Sequence, residues 1–161
     1  MDINYTLRNI EVKDNAAIAK IIRSCLKEFG ADKPGTVYYE ESTDNLFGLY
    51  SVERSVYFIA EIEGRIVGGG GICPTNGLSE DTCELVKMYL LPEARGKGIG
   101  AALLNKSLET AKQKGFSKVY LESLPELKRA IIVYEKFGFK KLSGPLGNTG
   151  HLSGVWMIKE L

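Results

Sequence analysis

The chain has 161 residues, 44% hydrophobic and 25% charged, which is an ordinary globular composition and enough length for one domain with an apolar core. Lys and Arg number 21 against 20 Asp and Glu, a formal charge of +1, so no general attraction to nucleic acid or to a membrane surface is expected. No apolar run approaches a bilayer span, the first residues read as no signal peptide, and three cysteines with one histidine make no zinc-type spacing. The expectation is a cytoplasmic protein, one domain over residues 1–161, with reduced buried thiols and no metal.

In chain order, "YTLRNIEV" alternates apolar and polar residues and predicts a strand. "DNAAIAKIIRSCLKEFG" places Ile18, Ile21, Ile22, Cys25, Leu26 and Phe29 at helical spacing, with Asp14 as N-cap and Gly30 as stop. Residues 31–54 are mixed, with a loop at Pro34-Gly35 and a short helix around 42–50. "VYFIAEIEGRIVGGGGICP" predicts a hairpin turning at Glu63-Gly64. "CELVKMYLL" is a further strand, ended by Pro92. "IGAALLNKSLETAKQKG" is an amphipathic helix stopped by Gly115, and "KVYLES" a strand. "PELKRAIIVYEKFG" is a helix with Pro125 near its start and Gly138 at its end. "FKKLSG" and "GVWMIKEL" close the chain as strands. The order β-α-(α)-β-β-β-α-β-α-β-β describes an α/β chain, largely antiparallel at first, with a β-α-β unit at its centre.

The informative stretch is "YLLPEARGKGIGAALL". A helix beginning near Ile99 points free N–H groups and the positive end of its dipole into the preceding loop, an arrangement that binds anions. Glycines there let a ligand approach the backbone, and Lys97 adds a cation. A Walker A loop would need Ser or Thr after Gly-Lys, and Gly98 stands there instead. Gly96, Gly98 and Ala101 match a Rossmann G-x-G-x-x-A, with Glu122 at the end of the next strand. Against that reading, Pro92, Glu93, Ala94 and Arg95 separate the first glycine from its strand.

The third pattern, R/Q-x-x-G-x-G/A, is met by Arg95, Gly98 and Gly100, and "AIIVYEKFGFKKL" fits A-x-x-x-Y-x-x-x-G-F through Ala130, Tyr134, Gly138 and Phe139. Together these resemble motifs A and B of the GNAT superfamily, the Gcn5-related N-acetyltransferases, and the element order matches over nearly the whole chain. The resemblance implies a mixed sheet, mostly antiparallel, that splays at a parallel pair of central strands and is flanked by helices. It implies acetyl-CoA as co-substrate, held by Arg95, Gly96, Lys97, Gly98, Ile99, Gly100 and Ala101, with backbone contacts near Met88 and Leu90. It implies Tyr134 as the acid facing the CoA sulfur, and it places Glu84 where many relatives carry the base.

The family's usual Asn seven places before the tyrosine is Leu127 here, so its pantetheine contact is either missing or made by another group, for which Ser123 is the candidate. The acceptor is read as a small primary amine lying near residues 28–50 and 143–154, with Tyr38, Tyr39 and His151 as candidate contacts. Gly68 to Gly71 sit in a predicted strand and either open space for substrate or mark a crowded packing site. A protein lysine or N-terminal amine, a non-catalytic acyl-CoA-binding module and a dinucleotide oxidoreductase are the other functional readings. A homodimer is compatible with the resemblance.

Overall fold

The computed structural model describes residues 3–148 and 153–161. Seven strands form one sheet in the order β1-β2-β3-β4-β5-β7-β6. They are β1 Tyr5–Asn9, β2 Val56–Ile62, β3 Arg65–Cys73, β4 Thr82–Leu90, β5 Lys118–Ser123, β6 Lys140–Leu142 and β7 Val155–Glu160. The β4–β5 pair is parallel, because helix α3 (Ile99–Gln113) carries the chain back to the same end of the sheet. Every other neighbouring pair is antiparallel.

Helices cover both faces. Alternate residues of β2 show why: Tyr57 and Ile59 join the cluster under α1 (Asn15–Glu28), while Phe58 and Ala60 join Ile99 and Leu103 of α3. Leu104, Leu108 and Ala111 of α3, with Ile131 and Tyr134 of α4 (Lys128–Lys136), pack on Leu121 and Met157. The stripe expected on α1 is buried from Ile18 to Leu26, but Phe29 is partly exposed beyond the helix end.

The β2–β3 hairpin turns at Glu63 (φ 51°) and Gly64 (φ 75°), two left-handed residues whose twist matches that of the strands. The glycine run of β3 is closed in by atoms of the neighbouring strands, not by open space. A Cβ at Gly69 would lie 2.5 Å from the Phe58 carbonyl oxygen, and one at Gly71 would collide with that of Val56. Gly68 is closed in the same way by the Tyr89 carbonyl, whereas at Gly70 the Met88 side chain fills the space.

Three boundaries differ from expectation. The chain at 11–14 leaves the strand and forms a tight turn, in which Asp14 accepts from the Glu11 N–H (2.7 Å) and from Arg8 (2.8 and 2.9 Å). Its carboxylate is spent there, so it does not cap α1. The helix expected at 42–50 is 3₁₀ in its first half and α only over Leu46–Leu49 (α2), where the Asn45 side chain accepts from Gly48 N–H. Helix α4 starts at Lys128, since Pro125 lies in the preceding turn closed by Leu127 N–H to the Leu124 carbonyl. No described helix is long and apolar enough to cross a membrane.

Candidate active site

Strands β4 and β5 pair only from Thr82–Lys118 to Glu84–Tyr120, then part. The cause is on β4. Between Val86 and Tyr89 it carries one residue more than β3 does opposite, a bulge that holds Lys87 at φ 47°. A bulge bends its strand and frees main-chain groups from the ladder. The gap opens into a cavity of about 480 Å³. Its walls are Met88 and Leu90 of β4, Leu121 to Ser123 of β5, Ala130 and Tyr134 of α4, the glycines before α3, and Thr36 and Val37 after α1.

At one end lies the first turn of α3. Gly98 (φ 84°) is its N-cap and offers no side-chain cap, and the first intrahelical bond is Ala102 N–H to the Gly98 carbonyl at 3.0 Å. The N–H groups of Ile99, Gly100 and Ala101 are therefore available to an anion. Gly96, Gly98, Gly100 and Ala101 line the cavity, whereas the Ile99 side chain is buried in the core. A Cβ on Gly100 would touch only Leu90 within the protein (3.4 Å), so the free space is on the cavity side.

The cations of this loop have partners within the protein, though Arg95 also lines the cavity. Arg95 is forked onto Glu28 (2.7 and 2.9 Å), donates to the Leu90 carbonyl (3.0 Å) and lies over Phe29. That pairing holds the Glu28 carboxyl below its usual range. Arg95 thus ties the loop to the end of α1. Lys97 donates to the Glu93 carbonyl (2.6 Å) and is not part of the cavity wall. Arg129, which the motif reading passed over, lines the cavity with its guanidinium 3.5 Å from where a Gly96 Cβ would stand, and it has no ionic partner among the described residues. The signal was available in the sequence: Arg129 and Val133 are one turn apart on α4, beside Ala130 and Tyr134.

Tyr134 is buried in the cavity wall, set edge-on to Phe139, and burial pushes its phenol up to about 12. Ser123 and Leu127 both line the cavity, and Met88 and Leu90 are at the splay. Glu84 is buried on the other side of β4 from the core-facing Leu85 and accepts from Thr75 Oγ1 at 2.7 Å, outside the cavity wall. Glu122 is in the wall and accepts from Tyr120 Oη at 2.7 Å. Tyr38 and Tyr39 are not in the wall; Tyr38 gives its carbonyl to Arg23 and Tyr39 is 62% exposed. His151 lies outside the described residues.

The face toward α1 and α2 also gathers polar groups. Lys87 Nζ donates to Tyr50 Oη (2.8 Å), and Tyr57 Oη donates to the Lys87 carbonyl (2.7 Å). Tyr50 and Tyr57 are stacked at 5.4 Å. Burial leads the effects on Lys87 and lowers its ammonium pKa, with Glu40 and Glu84 acting in the opposite direction.

A single parallel pair in an otherwise antiparallel sheet is not the doubly wound arrangement a Rossmann reading requires. The model of the acetyltransferase (GNAT) family matches residues 16–139. The uncharacterized N-acetyltransferase YjgM of Escherichia coli K12 is 44% identical over 158 residues, 96% of this chain and 94% of that one. Human N-acetyltransferase 8 is 31% identical over 120 residues, 70% of this chain and 53% of that protein. Among solved structures, a GNAT-family acetyltransferase of Staphylococcus aureus Mu50 superposes with a TM-score of 0.85 at 20% identity, covering 98% and 99% of the two chains. The PaiA N-acetyltransferase of Thermoplasma acidophilum, solved with coenzyme A, superposes at 0.76 and 20% identity, covering 99% and 100%. With the family model spanning most of its length and a relative this similar from end to end, the chain belongs to the GNAT family of acetyltransferases.

Proposed function

We propose that this N-acetyltransferase moves the acetyl group of acetyl-CoA to a primary amine of a small molecule by direct attack within a ternary complex. The observation that supports it most is the continuity of one cavity, from the uncapped N-terminus of α3, between the splayed strands, to buried Tyr134. A long ligand with phosphates at one end and an apolar arm fits such a passage. The phosphate end has the free amides of the first turn of α3 and the Arg129 guanidinium, and the arm has Met88, Leu121 and Ala130.

When bound, acetyl-CoA supplies an acetyl group activated as a thioester. The residues of the chain then have three tasks. Amides freed at the Lys87–Met88 bulge donate to the oxygen on which negative charge develops. The Tyr134 phenol, kept protonated by its burial, donates to the departing sulfur. A carboxylate accepts the proton that the attacking ammonium must lose, since an amine is mostly protonated near neutral pH. We assign that proton to Glu84, reached through water, because it lies beside the bulge, where Thr75 orients its carboxylate. Glu122 is the second candidate, because it lies in the cavity wall itself.

Initial rates with both substrates varied test the reading. Intersecting lines are expected, whereas parallel lines would show an acetyl-enzyme and overturn direct attack. Glu84→Gln is expected to flatten the alkaline-rising limb of kcat/KM, and the same effect in Glu122→Gln alone would move the assignment to Glu122.

A further inference from the structure

Lys87 is a lysine in a backbone conformation that disfavours any side chain, at the point where the sheet opens. Two tyrosines hold it there, Tyr57 through its carbonyl and Tyr50 through its ammonium. An ammonium has three donors, and Tyr50 Oη takes one of them. The side chain lines the cavity on the side of α1 and α2, away from the phosphate loop.

The other cations of that side are engaged. Arg23 is bound by Asp44 (2.5 Å) and by the carbonyls of Tyr38 and Glu40. Lys33 pairs with Glu126 (3.0 Å), and Arg95 with Glu28. Lys87 is left as the cation that a molecule in this part of the cavity would meet, with the carboxylates of Glu40 and Glu84 acting on it from nearby. A half-buried ammonium is costly unless an anion completes its surroundings. A simple alkylamine or a polyamine would add a second cation beside it. An amine that also carries a carboxylate can set that carboxylate against Lys87 and keep its own ammonium away from it.

We propose, resting on the acetyltransferase reading above, that the acceptor is a small amino acid-like molecule whose carboxylate is bound by Lys87. Lys87 is then a specificity residue, distinct from the groups that handle the proton and the thiolate.

The test is a thiol-release assay with acetyl-CoA and the common L-amino acids, each compared with its own amide, and with a diamine. One charge-assisted hydrogen bond sets the expected preference for the acid over its amide at about tenfold or more in kcat/KM. In Lys87→Met that ratio is expected to fall to within about threefold of one, and Lys87→Arg to restore part of it. Tyr50→Phe, which frees Nζ from its holder, should lower the same ratio. A purely structural lysine would lower all rates together and leave the ratio alone. A wild-type ratio near one, or a preference for the amide or the diamine, overturns the proposal however the variants fold. So does no turnover of any amino acid while acetyl-CoA still stabilises the protein. Absence of that stabilisation would instead overturn the acetyl-CoA reading beneath it.

Discussion

Gly98 and Gly64 form a matched pair that separates the cost of a strained backbone from the loss of a ligand. Both are left-handed, at φ 84° and 75°, and a Cβ built on either meets nothing within 4 Å. Alanine at either site therefore costs conformational energy without a clash, about 1–2 kcal/mol for a left-handed non-glycine residue. For a domain of this size that is a fall in Tm of about 2–8 °C for each variant. Only Gly98 aims the open end of α3 into the cavity, while Gly64 turns a hairpin at the far end of β3. At a hundredfold excess over Kd, acetyl-CoA should stabilise the wild type by about 2.7 kcal/mol. Displacing one charge-assisted hydrogen bond to phosphate weakens binding about tenfold, so at the same concentration Gly98→Ala should gain only about 1.4 kcal/mol. Gly64→Ala should keep the full gain on its lowered baseline. Thermal melts of the three proteins with and without acetyl-CoA decide the matter. Equal ligand-induced shifts in the two variants would refute the assignment of the phosphate end to the first turn of α3.

Further predictions concern other parts of the molecule. Tyr134→Phe should lower kcat by about 10²-fold with little change in the Kd of acetyl-CoA, as read by single-turnover rates and titration. Gly71→Ala drives a Cβ into the Val56 carbonyl, so unlike Gly64→Ala it should cost about 3 kcal/mol and show as a lower denaturation midpoint. Asp14 is held below its ordinary pKa chiefly by Arg8, so its stabilising contribution is present above about pH 3.9, the unfolded value, and is lost as pH falls through the lower folded value. Asp14→Asn should lower stability at pH 7 by about 3 kcal/mol, because it breaks a largely buried pair, and should flatten the acid limb of Tm against pH. A variant with the wild type's acid limb would contradict that account.

Much of the architecture was legible because the signals were local. The apolar run "VYFIAEI", the Glu63-Gly64 turn and the apolar stripe of α1 each specify an element without reference to the rest of the chain. The uncapped first turn of α3, the proposed phosphate site, was legible for the same reason, since its amides and glycines adjoin in sequence. The motifs also led to Tyr134, which the fold brings to the cavity from α4. What escaped notice depends on tertiary partners. Nothing in "RGKG" tells that Arg95 is taken by Glu28 or that Lys97 turns back to Glu93, and so the free cation, Arg129, went unseen on another helix. The purpose of the glycine run was likewise set by carbonyls and the Met88 side chain of the two adjacent strands. Asp14 looked like a helix cap until Arg8 and Glu11 claimed its carboxylate. The bulge at Lys87 has no sequence mark either, since Tyr50 and Tyr57, which bond to it, come from distant parts of the chain.

The central claim is that acetyl-CoA lies along one cavity, from α3 to Tyr134, through the gap between β4 and β5. A crystal structure of the complex tests it most directly. The account predicts phosphate oxygens within hydrogen-bond reach of the Gly98–Ala101 amides and of Arg129, and the thioester between Met88 and Tyr134. Phosphates bound elsewhere, or an acetyl group outside the β4–β5 gap, would contradict it.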